Sequence, residues 1–169
     1  GWTWPSVDET YNNVKFYFLI TLEGAESTIT IPTMYDTSLA DYMPMAVRGG
    51  YTFDGWYTAQ NGGTKVNPAD TNTFAEGITL YAHWTANSYD ITVDTVGGSA
   101  VTVNNAKYST STASQTRQLS TAVPIKANFV FNSWQVEWAS EVHSSTLPTV
   151  SGQTITIPAD CYGSFKVVA

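Results

Sequence analysis

Apolar and polar residues alternate with a period of two along most of this chain, and no stretch carries a long helical stripe. Residues 14–22 are rich in β-branched and aromatic side chains. Within them Phe16, Phe18 and Ile20 alternate with Lys15, Tyr17, Leu19 and Thr21, which predicts a strand. Glu23-Gly24-Ala25-Glu26 reads as its turn, and Thr28-Ile29-Thr30-Ile31 as the returning arm of a hairpin that stops at Pro32. Ser38 is placed to cap a short helix at 39–43, halted by Pro44, whose ring restricts the residue before it. Gly50-Tyr51-Thr52-Phe53-Asp54-Gly55-Trp56-Tyr57 then predicts a core strand. Asn61-Gly62-Gly63 and Asn67-Pro68 mark 57–73 as loop. A strand at 78–84 closes the unit, with Ile78, Leu80, Ala82 and Trp84 on one face. The order is strand, strand, short helix, strand, loop, strand, and a helix crossing a mixed sheet is the simplest way to bury these faces.

Residues 85–88 form a short polar linker, and a second series begins after it. Residues 89–93 and 101–103 read as a hairpin across Gly97-Gly98-Ser99. Residues 104–118 are polar and predict no element. Residues 122–127 predict a strand that Pro124 confines to an edge or a bulge. A looser copy of the earlier motif follows as Phe129-Val130-Phe131-Asn132-Ser133-Trp134. A loop containing 143–152, a strand at 154–158 and a last strand at 163–169 complete the series. Both copies read aromatic, any residue, Phe, Asp or Asn, Gly or Ser, Trp. Strand spacing would point Trp away from Phe unless the small polar step absorbs a residue, so a bulge is expected there. Phe53, Trp56, Trp84, Phe131 and Trp134 are accordingly read as core. Trp134 follows Trp56 by 78 positions and Tyr89 follows Val14 by 75, a repeat period. The expected architecture is α+β to mainly β, in two small tandem modules. Residues 1–13 form an arm or the tail of a preceding module, 14–85 the first module, 86–88 the linker and 89–169 the second.

Composition narrows the function classes. Charged residues make up 12% of the chain, about half of what an average soluble domain carries, and Thr, Ser, Asn, Gly and Tyr take their places. Such surfaces suit extracellular β modules. The net charge of −7 divides into −6 for residues 1–86 and −1 for the rest. Nucleic acids and anionic glycans, which need clustered Lys and Arg, are poor partners. Cys161 is alone, which excludes a disulfide within the chain. The longest apolar run, 16–20, is too short to cross a bilayer. The chain opens at Gly1 without Met, so we expect a piece of a longer protein, with any signal peptide or wall anchor outside it.

Catalytic chemistry has little to work with. His83 lies inside a strand on the face opposite Leu80 and reads as a surface histidine. Glu141, His143 and Ser144 resemble an acid, histidine and serine set, but such a set is recognised by geometry, and a Ser-rich loop supplies one by chance. Asp70-Thr71-Asn72 lacks the spacing and closing Glu of a calcium loop, and Cys161 with two histidines makes no zinc constellation. Lys15 is the nearest candidate for an isopeptide crosslink, yet no Asn partner can be named. No catalytic residue, metal or cofactor is expected. Binding is the rival reading: Tyr57, Trp138, Trp2 and Trp4 are candidate aromatic platforms for a glycan.

The motif from Gly50 to Thr58, followed by Gly62-Gly63 and closed by Thr79-Leu80-Tyr81-Ala82-His83-Trp84, resembles the internalin-type B-repeat, or Listeria and Bacteroides repeat, of bacterial surface proteins. The match covers roughly residues 14–84. Residues 89–169 are similar to divergent members of that family through Phe131-Asn132-Ser133-Trp134 and Thr154-Ile155-Thr156-Ile157-Pro158-Ala159-Asp160, with Ser133 in place of the usual Gly. The resemblance implies a β-grasp, SUMO- or ubiquitin-like fold for the first module. The second is then all-β or a degenerate β-grasp. It further implies an extracellular, wall-associated setting and a non-catalytic spacer or stalk with a role in adhesion. The expected partners are neighbouring repeats, a surface or host protein, or a neutral glycan. The alternative function is a carbohydrate-binding module using exposed aromatics.

Overall fold

The structure, a computed structural model, describes residues 17–23, 29–34, 36–73 and 77–169. The predicted arm with Trp2 and Trp4, Lys15 and the turn at 23–26 beyond Glu23 lie outside the described residues. The protein is mainly β, with one 3-10 turn as the only helix among the described residues.

The predicted hairpin forms. β1 (Tyr17–Glu23) pairs antiparallel with β2 (Ile29–Met34), Ile20 facing Ile31 and Leu22 facing Ile29. β2 continues through Pro32, where the sequence predicts a stop. Because β2 is an edge strand, the missing N–H of Pro32 can fall on the side without a neighbour. The short helix contracts to a single 3-10 turn at Leu39–Asp41. Ser38 caps it, its hydroxyl accepting from Ala40 N–H at 3.2 Å, and Tyr42 N–H closes the turn on the Leu39 carbonyl at 3.0 Å. With Pro44 so close there is no room for the extra turn an α-helix needs. β3 (Tyr51–Tyr57) and β4 (Ile78–Ala86) complete a four-stranded sheet in the order β2-β1-β4-β3, with β1 and β4 parallel. Gly55 takes φ 133°, the positive φ expected of the small polar step, and Trp56 beside it is buried.

The second half departs further from its prediction. β5 (Ser88–Asp94) follows β4 with one residue, Asn87, between the two strands. Asn87 is held at three atoms: its N–H donates to the Gly50 carbonyl at 2.9 Å, its carbonyl accepts from Thr110 N–H at 3.1 Å, and its Oδ1 accepts from the Thr52 hydroxyl at 2.7 Å. β5 pairs antiparallel with β6 (Lys107–Ser109), not with 101–103. Val103 instead forms an isolated bridge to Leu119. β6 and β7 (Gln115–Gln118) thus lie in the stretch that predicts no element. Residues 122–127 and 129–134 form no strand. β8 (Gln135–Trp138) begins only after the second motif, and no residue of 129–134 has positive φ, so the bulge does not recur. β9 (Thr149–Ser151) forms inside a predicted loop and turns through Gly152-Gln153 into β10 (Thr154–Ile157), and β11 (Phe165–Val168) closes the chain as expected.

These strands make two sheets, β7-β10-β9 and β6-β5-β11-β8. In the latter β5 and β11 are parallel, while β6 and β8 pair antiparallel on the outside. This order repeats that of the first sheet: the opening and closing strands lie side by side in parallel, the hairpin partner flanks one, and the strand nearest the recurring Trp flanks the other. By packing, the chain divides into two compact units. One takes in the described residues up to Ala46 and Asp54–His83, the other Val47–Phe53 and Trp84–Ala169. In the latter, alternation delivers Ile155, Ile157, Phe165 and Val167 to one core, joined by Ile91, Val101, Tyr108, Leu119 and Cys161.

Candidate functional site

Aromatic side chains dominate both units, so the site question is which of them are spent on packing. In the first unit Trp56 is 3% exposed and its indole N–H donates to the Pro44 carbonyl at 2.9 Å. Tyr57, on the next position of β3, lies half-buried and stacks on His83 with ring centroids 3.8 Å apart. His83 Nε2 lies 2.9 Å from the Ala59 carbonyl. A carbonyl oxygen only accepts, so this nitrogen carries the proton and the contact fixes the tautomer. His83 is therefore half-buried and engaged rather than a bare surface residue.

The second unit uses the same devices with different partners. Trp134 is half-buried and its indole donates to the Ala122 carbonyl at 2.9 Å, again twelve residues upstream. Phe131 meets Trp134 at 5.3 Å and 59°, while Phe53 meets Trp84 at 5.3 Å and 58°; all but Trp56 among these five motif aromatics are half-buried. Trp138 stacks on His143 at 4.6 Å and lies nearly perpendicular to Phe165, with ring centroids 6.5 Å apart. Of the four candidate platforms, Tyr57 and Trp138 each have an imidazole against the ring, and Trp2 and Trp4 are outside the described residues.

The geometry disposes of the acid, histidine and serine set. His143 Nδ1 donates to the Ser144 carbonyl at 2.8 Å, whereas the Ser144 hydroxyl lies near the Thr146 and Tyr162 carbonyls and the Cys161 sulfur. Glu141 is exposed and forms no ion pair among the described residues. Cys161 is buried, 3.6 Å from the Tyr108 hydroxyl. That hydroxyl donates to the Gly163 carbonyl at 2.6 Å, and burial, followed by the contact with Cys161, pushes the phenol far above its ordinary range. Asn72, from the triplet weighed for calcium, is buried and donates to the Thr33 hydroxyl at 3.0 Å. Among the described residues no three His, Cys, Asp or Glu side chains gather into a metal site.

One cavity was missed by sequence reasoning. It encloses about 280 Å³ and lies in the second unit between the loop after β5 and the segment before β8, walled by Val96, Pro124, Lys126, Phe129, Val130 and Phe131. The sequence places Phe129 and Val130 in a core strand, but they are 67% and 96% exposed. Asn128 at φ 62° turns the chain immediately before them, and the Asn-Phe step was the available signal.

Comparison with known proteins adds the relationships. The model of the Listeria-Bacteroides repeat domain matches residues 20–83. Internalin H of Listeria monocytogenes is 33% identical over 113 residues, 67% of this chain and 19% of that protein. A putative Gly-rich membrane protein of Evansella cellulosilytica is 42% identical over 66 residues, 38% of this chain and 8% of that protein. The chain therefore spans a small part of the length of these relatives. With the Gly50 to Tyr57 motif on β3 inside the matched range, the chain belongs, through residues 20–83, to the internalin-type Listeria-Bacteroides repeat family.

Proposed function

We propose that these residues are a non-catalytic spacer in a bacterial cell-surface protein, made of two successive β-grasp repeats that hold other parts of that protein away from the envelope. The observation that carries this reading is the shared strand order of the sheets β2-β1-β4-β3 and β6-β5-β11-β8, each with its opening and closing strands parallel. The indole bonds from Trp56 and Trp134 to carbonyls twelve residues upstream add a second correspondence. A low-charge surface rich in Thr and Asn favours solubility without broad electrostatic stickiness. The kinship with an internalin supports the extracellular, wall-associated setting, and adhesion to a host or surface protein is the added role.

The test is a fusion in which one or two copies of the 169 residues separate a wall anchor from a terminal epitope. The distance of the epitope from the cell wall, measured by localisation microscopy, should grow by an equal step with each copy. An unchanged distance would defeat the spacer reading. The stacked imidazoles on Tyr57 and Trp138 weigh against the glycan alternative, for which saturable binding on a neutral-glycan array, lost in Trp138→Ala, would be required.

A further inference from the structure

The cavity between the loop after β5 and the segment before β8 combines features that a packing accident does not need. Val96, a β-branched residue, sits at its rim with φ 51°, a conformation such residues rarely adopt. Both of its backbone groups are held there: its N–H donates to Asp94 Oδ1 at 2.8 Å, and its carbonyl accepts from Lys126 Nζ at 2.8 Å. The Lys126 ammonium also lies 4.2 Å from the centre of the Phe129 ring. Around this cation the surface is apolar, with Phe129, Val130 and, at 78% exposure, Ile125. The chain elsewhere places its charges differently. Arg48, Lys107 and Lys166 of the same unit pair with Asp160, Asp90 and Glu137, and Arg117 is committed to carbonyls and Gln115. Lys126 forms no ion pair among the described residues, with two of its three donors left after the bond to Val96.

We propose that this cavity is a docking site for an acidic, apolar peptide segment of a partner protein, in which an aromatic or leucine side chain fills the pocket and a flanking carboxylate pairs with Lys126. The volume of about 280 Å³ is at the small end for ligand pockets and suits one or two side chains. The unpaired cation in an apolar rim selects an acidic flank over a basic one. The site stands whether or not the chain serves as a spacer, because it depends on local chemistry and not on length or repetition.

The experiment is a titration of the isotope-labelled 169-residue chain, followed by amide NMR, with the end-blocked peptide Asp-Leu-Phe-Glu and with Lys-Leu-Phe-Lys as its charge-reversed control. The acidic peptide should give saturable shifts at Val96, Gly98, Lys126, Phe129 and Phe131, weakening as salt is raised, and the basic peptide should give far smaller ones. Lys126→Gln should weaken binding about fivefold, as loss of one partly exposed ion pair does. Val130→Asp, at a position with no packing to lose, should repel the peptide while leaving the remaining spectrum unchanged. Equal binding of both peptides, no saturable shift at these residues, or shifts on simple concentration of the chain without peptide would each overturn the proposal. The last result would assign the surface to self-association.

Discussion

Replacing Trp56 with Ala removes the largest buried side chain of the β3 motif and tests the packing directly. The indole is 3% exposed, so nearly its whole apolar area returns to water or leaves a cavity on truncation. Buried aromatic-to-Ala changes cost about 3–5 kcal/mol. The lost hydrogen bond adds little, because Pro44, whose carbonyl accepts it, is exposed and water can take the donor's place. Trp56→Phe is the intermediate case: it keeps an aromatic ring in the site but loses the N–H together with part of the ring volume, and should cost about 1–2 kcal/mol. The half-buried Trp134 supplies the comparison, with an expected loss of about 2–3 kcal/mol on truncation to Ala. The assay is urea unfolding of the full chain followed by circular dichroism. With a slope of about 1–3 kcal/mol per M, Trp56→Ala should lower the midpoint of its transition by at least about 1 M. A loss below about 1 kcal/mol would refute the reasoning, since it would mean that the ring is not packed in the folded state.

Tyr108 gives a pH prediction. Its native phenol titrates far above the ordinary value of 10.0, chiefly because burial disfavours the anion. The unfolded chain ionises this group as pH passes 10 and the folded chain does not, so the associated stability is complete below pH 10 and falls as pH rises beyond it, by at most about 1.4 kcal/mol per unit. Absorbance titration at the phenolate band should show one tyrosine ionising only with alkaline unfolding, and Tyr108→Phe should remove that component. Gly50 and Gly62 form a matched pair. Both have positive φ, 79° and 71°, but an added Cβ on Gly50 would sit 2.5 Å from the Thr110 hydroxyl, while on Gly62 it would meet nothing within 4 Å. Gly50→Ala should therefore cost about 2 kcal/mol or more and Gly62→Ala about 1 kcal/mol in the same urea assay, and equal losses would show that backbone conformation alone matters. Ser144→Ala and His143→Ala, tested against ester substrates, should change no turnover, because the Ser144 hydroxyl is not bonded to the imidazole.

Legibility in the sequence followed the length of each alternating run and whether its partner was near. The β1 and β2 hairpin, β4, β10 and β11 carry clear alternation, such as Leu80 and Ala82 buried in β4 or Phe165 and Val167 in β11. β6 and β7 bury only Tyr108 between them, and hold their places by pairing with β5 and β10, which no local pattern announces. The opposite error arose at 122–134, where apolar composition predicted two strands. Pro124 supplies no donor there, Asn128 turns the chain, and the side chains of Ile125, Phe129 and Val130 face solvent instead of a sheet. The stacking of Tyr57 on His83 and of Trp138 on His143 joins residues 26 and 5 positions apart in ways that composition does not encode. For the same reason the cavity beside Lys126, built from three separated segments, was invisible in the sequence.

The parallel pairing of opening and closing strands has a mechanical meaning. In the second unit β5 lies close to where that series begins and β11 close to where it ends, and residues 91–94 run beside 165–168 in the same direction. Tension applied at the two ends pulls these strands along their length in opposite senses. The rungs between them are then loaded together, in shear, and must yield as a group instead of peeling one at a time. The same holds for β1 and β4, paired over Ile20 to Glu23 with Ile78 to Tyr81. A chain stretched between its ends in a force spectrometer should thus hold tension and release it in abrupt steps, each the failure of one set of parallel rungs.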